Sequence, residues 1–214
     1  MHADATPDRD LPPEELRFIF RSGRLSLAFC ATVGERWRRN FERLRTPGDL
    51  ARWYVEAGLV DAPVATSQSG LRRARVLREA VYRIARALIA GQPPASGDEE
   101  IVNAAARAPA PVPQMHRGEA TRLVLARGAE AAMLSLVARD AIELFTSPSS
   151  RRIRKCANHQ CGLLFVDLSR PGRRRWCSSA ACGGRERAAR YRRRRTNPAP
   201  AGPASTAPAR PSTG

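Results

Sequence analysis

Four of the chain's five cysteines fall within 27 residues, as Cys156, Cys161, Cys177 and Cys182, in the spacing C-x4-C-x15-C-x4-C. Two close pairs separated by a hairpin-sized segment supply the four soft donors that a tetrahedral zinc ion takes at ~2.3 Å, with no position left open for chemistry. The first 15 residues are polar and rich in Pro and acidic groups, without the apolar run of a secretory signal. No stretch approaches the ~18 consecutive apolar residues of a membrane span. A cytoplasmic protein is therefore expected, in which cysteines act as metal ligands or free thiols rather than disulfides. The expected cofactor is one structural Zn2+. A module of this size cannot bury a sufficient core of its own, so metal binding is expected to supply folding energy, on the order of 10 kcal/mol.

The residues between and after the ligands suggest how the module is built. Leu163 to Val166 reads as a strand, Leu168-Ser169-Arg170-Pro171-Gly172 as a turn, and Arg174 to Trp176 as a returning strand. A helix is expected from about Ala181 to Arg194. Knuckle, hairpin and helix together make a treble-clef-like four-cysteine finger, with Leu164, Phe165, Trp176 and Tyr191 packed around the metal. Asp167 reads as a turn residue that caps backbone groups, and His159 as an exposed turn residue.

Charge is concentrated in the same region. Residues 151–195 hold 14 Arg and one Lys against Asp167 and Glu186, which is +13 of the chain's net +17. Such a basic end is the footprint of a polyanion binder. Arg173, Arg174 and Arg175 precede Cys177, while Arg185, Arg187, Arg190 and Arg194 follow Cys182 on the predicted helix. At 3.6 residues per turn Arg187, Arg190 and Arg194 share a face. Guanidinium forks suit phosphate oxygens and the guanine edge, and most such contacts give affinity without sequence information. These seven arginines are the candidate nucleic-acid contacts, with DNA the expected partner and RNA the alternative.

The remainder divides into a disordered lead-in (1–15), a mainly helical block (16–148) and a disordered Pro/Ala-rich tail (196–214), with the finger at 149–195. The expected fold class is α+β: a mainly helical N-terminal domain with short strands and a hairpin, then the finger. Leu25, Leu27, Phe29 and Ala31 alternate with Ser26, Ala28 and Cys30, which predicts a half-buried strand holding Cys30 as a small buried residue. Thr46 followed by Pro47 and Asp49 predicts a helix start. Leu77, Val81, Ile84 and Leu88 mark the apolar face of a helix over 71–90 whose arginines mostly point outward, ended by Gly91. Ser96 with Glu99 resembles a capping box. Met115 to Ala126 reads as a hairpin around Arg117-Gly118-Glu119. A last helix over 128–145 would bury Met133, Val137, Ala141 and Leu144. None of these faces suggests a convergent set of ionisable groups.

Arg154-Lys155-Cys156-Ala157-Asn158, Cys161-Gly162-Leu163-Leu164-Phe165-Val166-Asp167, Ser169-Arg170, Arg173-Arg174-Arg175-Trp176-Cys177-Ser178 and Cys182-Gly183-Gly184-Arg185 resemble the CGNR zinc finger. That module closes proteins with an N-terminal ABATE domain, to which residues 20–148 are more loosely similar. The signature Asn is Gly184 here. The family's Leu-Cys-Leu-Asp-Phe-x-Asn-Thr strand is Leu25-Ser26-Leu27-Ala28-Phe29-Cys30-Ala31-Thr32, so Ala28 and Ala31 replace its Asp and Asn. The resemblance implies a bacterial, stress-responsive transcription regulator associated with the nucleoid, whose N-terminal domain senses a small-molecule or protein effector. The alternative is an RNA-binding or protein-interaction zinc module without sequence-specific DNA binding. No enzyme activity is expected. His2, His116 and His159 are scattered, and the cysteines use every metal position.

Overall fold

The computed structural model describes residues 11–116, 119–124 and 129–196. Of the termini expected to be disordered (1–15 and 196–214), residues 1–10 and 197–214 lie outside the described residues, as does the hairpin turn Arg117-Gly118, whereas residues 13–16 form a turn and Thr196 ends α6. The elements run α1 (Leu25–Cys30), β1 (Val33–Gly34), β2 (Phe41–Glu42), α2 (Pro47–Glu56), α3 (Gln68–Ile89), α4 (Ser96–Ala106), β3 (Val112–His116), β4 (Glu119–Val124), α5 (Ala129–Thr146), a 3-10 turn (Pro148–Arg152), β5 (Ile153–Lys155), β6 (Leu164–Val166), a π-turn (Ser179–Gly183) and α6 (Gly184–Thr196). The strands form three separate antiparallel pairs, β1–β2, β3–β4 and β5–β6. The fold is thus helical in its body, with short two-stranded ribbons.

Two helices follow directly from local chemistry. The Thr46 hydroxyl accepts from the Asp49 amide (3.2 Å) and the Asp49 carboxylate accepts from the Thr46 amide (2.8 Å), a closed box that starts α2 with Pro47 in its first turn. Its inner face buries Leu50, Trp53 and Tyr54. Ser67 caps α3 through the Gly70 amide (3.0 Å), and Gly91, at φ +67, turns the chain out of its end. Leu77, Val81 and Ile84 are buried on α3, and Met133, Val137, Ala141 and Leu144 on α5, as their spacing predicts. Phe29 and Tyr54 flank the Trp53 ring at 4.8 and 5.8 Å.

The segment expected as a strand at 25–31 is instead the helix α1. Residues 26–30 are all buried, so alternation among small and apolar side chains carried no information about faces. Its start is capped from another element: Arg24 offers no side-chain cap, and the Ser26 amide donates to the Asp140 carboxylate of α5 (2.8 Å) while Arg24 pairs with the same group (3.0 Å). The capping box expected at Ser96 and Glu99 does not form. Ala95 is the N-cap without a side-chain bond, and Asp98 instead receives the Arg83 guanidinium.

The outward arginines of α3 have one exception. Arg78 is 4% exposed, and its guanidinium meets Glu42 through two nitrogens (2.7 Å each), Glu79 (2.8 Å) and the Thr32 hydroxyl (3.1 Å). Burial works against its charge, but the two carboxylates more than offset this and raise its pKa above the usual arginine value. Arg36 joins the network by gripping Glu79 (2.6 and 3.0 Å). Removing one member of a buried charged network strands the others, at a cost of about 3–5 kcal/mol. Arg78→Ala should therefore lower the urea midpoint by an amount equivalent to about 3 kcal/mol; an unchanged midpoint would show that the network is not what fixes α3 to β2.

Candidate zinc centre and basic surface

The first cysteine pair sits at the tip of the β5–β6 ribbon. Ile153, Arg154 and Lys155 pair with Val166, Phe165 and Leu164, and the Cys156 amide closes the knuckle on the Leu163 carbonyl (2.9 Å). Inside the knuckle the Cys161 amide bonds the Asn158 carbonyl (3.0 Å), and the Asn158 side chain accepts from the Gln160 amide (2.9 Å). The returning strand expected at Arg174–Trp176 is not one. The partner of β6 is β5, which precedes the knuckle, while residues 173–175 run as an irregular segment held by the Ala157 amide on the Arg175 carbonyl (2.8 Å). Asp167 organises that segment, accepting from the Ser169 and Arg174 amides (3.0 and 2.8 Å) and from the Ser169 hydroxyl (2.6 Å). Burial disfavours its charge, but these donors outweigh burial and hold its carboxyl below the usual range.

The second pair comes from the turn that opens α6. The Ser178 hydroxyl accepts from the Ala181 amide (3.1 Å), and the π-turn at Ser179–Gly183 brings Cys182 back beside Cys177. All four Sγ atoms lie within 4.8 Å of one another, with Cys161–Cys177 and Cys177–Cys182 both at 3.6 Å. Sulfurs at ~2.3 Å from a central zinc are about 3.8 Å apart, so this cluster has the size of a tetrahedral site. The Cys156 thiol is pulled down by hydrogen bonds from Cys161 and Cys177, which are pushed up in return. Four thiols so close cannot all ionise without a cation between them. The Cys177 amide also points at the Cys156 sulfur (3.5 Å), the kind of backbone donor that supports a thiolate ligand. The donor set and its spacing fit one structural zinc ion. Cys30 lies outside this set, buried, with its thiol pushed up to about 12 by burial.

The finger is seated on the N-terminal domain by two apolar clusters. Leu27, Ala85 and Leu144 pack with Ile153, Leu164 and Val166, and Ala31 packs with Leu163, Phe165 and the cysteines. The Val166 amide donates to the Ser22 carbonyl (2.9 Å). Trp37 lies over the knuckle: its indole N–H donates to the His159 carbonyl (2.7 Å) and its ring receives the Lys155 ammonium at 4.1 Å. Gly162, at φ +54, leaves room for that ring, because a Cβ there would overlap it. The hydropathy pattern gave no sign of Trp37; a lone Trp in an Arg-rich turn was the only signal.

The basic residues do not all do the same thing. Arg173, Arg175, Arg185, Arg187 and Arg190 are exposed. Arg187 reaches the Ser179 carbonyl (3.3 Å), and Arg175 lies 5.3 Å from the Trp176 ring. Arg174 is turned inward, its guanidinium 4.9 Å from the Phe165 ring and hydrogen-bonded to the Trp176 carbonyl (2.8 Å) and the Cys177 carbonyl. Arg194 is on α6, but its side chain is outside the described residues. Gly184 opens α6, and a Cβ there would come no nearer to another group than 3.9 Å from Arg187. Its missing side chain is thus not a steric requirement. Ala28 and Ala31 are both buried, Ala31 against the finger.

These features define a protein in which a small, treble-clef-like zinc finger is docked on a helical domain. Residues 152–195 match the CGNR zinc finger, and residues 23–148, more than half of the chain, match the family model ABATE, described as "Putative stress-induced transcription regulator". The chain belongs to the ABATE family. Neither matched family is one of enzymes. No curated protein matches the chain. Among the described residues no helix is long and apolar enough to cross a membrane.

Two outcomes are expected of this site. The purified chain should hold one zinc per molecule, and Cys177→Ser should lose it and shift the thermal midpoint of the whole chain downward, since Leu27 and Leu144 share their cluster with the finger; a helical domain that melts unchanged would contradict the shared core. Gly184→Ala should raise stability by about 0.5 kcal/mol through helix propensity, with zinc content unaltered; a destabilised variant would show that the site needs glycine.

Proposed function

We propose that the protein is a bacterial, stress-responsive transcription regulator of the nucleoid, in which the zinc finger contacts DNA and the N-terminal domain senses an effector. In this reading residues 16–148 are the sensing domain and residues 149–195 the DNA-binding module. The four cysteines carry no chemistry; they hold α6 and the 173–175 segment in one rigid arrangement. The observation that supports DNA binding best is the exposure of Arg185, Arg187 and Arg190 on α6 together with that of Arg173 and Arg175 before it. Glu186 is the only acidic residue of that helix and lies 3.5 Å from Arg193. Arginines so arranged neutralise successive phosphates and can present a bidentate fork to guanine. Arg194 extends the row by helical spacing. Arg174 supports the surface indirectly, by holding the backbone around Trp176 and Cys177.

Binding to duplex DNA should weaken steeply with salt. Replacing Arg187, Arg190 and Arg194 by Ala should reduce the slope of log K against log salt by about 0.9 for each phosphate no longer neutralised, with zinc content and circular dichroism preserved. Specific genomic fragments should bind tighter than random duplex. Equal affinity for random DNA, RNA and heparin at every salt concentration would overturn the specific-regulator reading in favour of a general polyanion surface.

A further inference from the structure

A cavity of about 440 Å3 lies where the helical domain meets the finger. Segments 14–21 and 30–43 form one side, and the knuckle at 160–164 with the opening of α6 forms the other. This volume suits a small organic molecule. Its lining is unbalanced in charge. Six arginines border it against Glu14, Glu15 and Glu35; Glu15 and Glu35 are engaged by Arg39 (2.8 and 2.9 Å), and Arg36 is paired with Glu79 outside the lining (2.6 Å).

Arg43 is the unusual member. It is 6% exposed; its guanidinium lies 4.7 Å from the Phe41 ring and its hydrogen bonds go to the backbone carbonyls of Glu15 (2.8 Å) and Ala31 (3.0 Å), with no carboxylate partner among the described residues. A buried guanidinium without a paired anion is unfavourable, because desolvation is not returned by Coulomb attraction. Burial draws its pKa down to about 10, only partly opposed by the more distant charges of Glu15, Glu42, Glu35 and Cys161. Arg36 borders the same cavity with its guanidinium 4.0 Å from the Tyr82 ring, and its Nε is buried without a partner. Phe41 and Tyr82 add aromatic wall.

We propose that this cavity binds a small organic anion, whose carboxylate or phosphate head is received by Arg43 beside Arg36, the guanidiniums that stack on the Phe41 and Tyr82 rings. The missing charge partner and the space for it coincide. The site deepens the regulator reading and rests on it for its biological meaning. Cys161, Cys182 and Arg185 share the cavity wall, so an occupant touches the finger and the helical domain together.

Full-length, zinc-loaded protein titrated calorimetrically without DNA, using benzoate, succinate and inorganic phosphate, separates an aromatic carboxylate, a dicarboxylate and a phosphate head. At least one should bind one-to-one with Kd below about 1 mM. Arg43→Gln should weaken it about 10-fold or more, the worth of one charge-assisted hydrogen bond, while Arg72→Ala, exposed on α3 and outside the cavity lining, leaves it unchanged. If Arg43→Gln fails to fold, Arg21→Glu at the exposed rim decides, with several-fold weakening expected. The proposal is overturned if none of the three anions binds, or if they bind the folded rim and base variants as tightly as the parent. DNA titration of the same samples without anion reads the regulator assignment separately. Anion binding without DNA binding would remove the regulator and leave the site, and DNA binding without anion binding would do the reverse.

Discussion

Everything at the C-terminal end depends on drawing four thiolates together. The β5–β6 ribbon has three residue pairs, and the segment after it has no ladder of its own. Without a cation, four sulfurs within 4.8 Å repel as anions or compete as thiols. With one, the same sulfurs fix the knuckle, the 173–175 segment and the start of α6 as a unit. Metal energy is folding energy in a module of this size. The Asp167 turn and the Arg174 guanidinium then complete the hydrogen bonding that a second strand would otherwise supply.

The finger is not a bead on a string. Ile153, Leu164 and Val166 are almost fully buried against Leu27, Ala85 and Leu144, and burying each such side chain is worth about 1.5–3 kcal/mol. Trp37 over Gly162 and the Val166–Ser22 hydrogen bond add directional contacts. Docking places a polar, arginine-rich cavity directly behind the zinc ligands. The arginines of α6 and those around the cavity therefore belong to one small body, and Arg185 is common to both sets.

Much of this was legible in the sequence. Cysteine spacing specified the metal centre, because ligand chemistry is local and its signature short. Thr46-Pro47-x-Asp49 specified the start of α2, and helical periodicity specified α3 and α5. What could not be read depended on partners far along the chain. The cap of α1 comes from Asp140, more than a hundred residues away, so residues 25–31 looked like a strand by alternation alone. Arg78 looked like an outward arginine until Glu42 and Glu79 closed on it. Arg43 and Arg36 carried no motif, since a buried charge is recognisable only once its surroundings are known. Among the Arg-rich residues, sequence could not separate Arg174, which faces Phe165, from its exposed neighbours.

The seating of β6 against Ser22 and Leu27 also bears on biosynthesis. The first helix of the domain finishes its packing only with residues made some 140 positions later. Closing so large a loop is entropically costly and slow. During translation the α1, α3 and α5 faces that receive Ile153, Leu164 and Val166 stay open to water until the ribosome has released the knuckle. A nascent chain in a zinc-starved cell would prolong that exposure, because the knuckle that covers those faces closes around the metal.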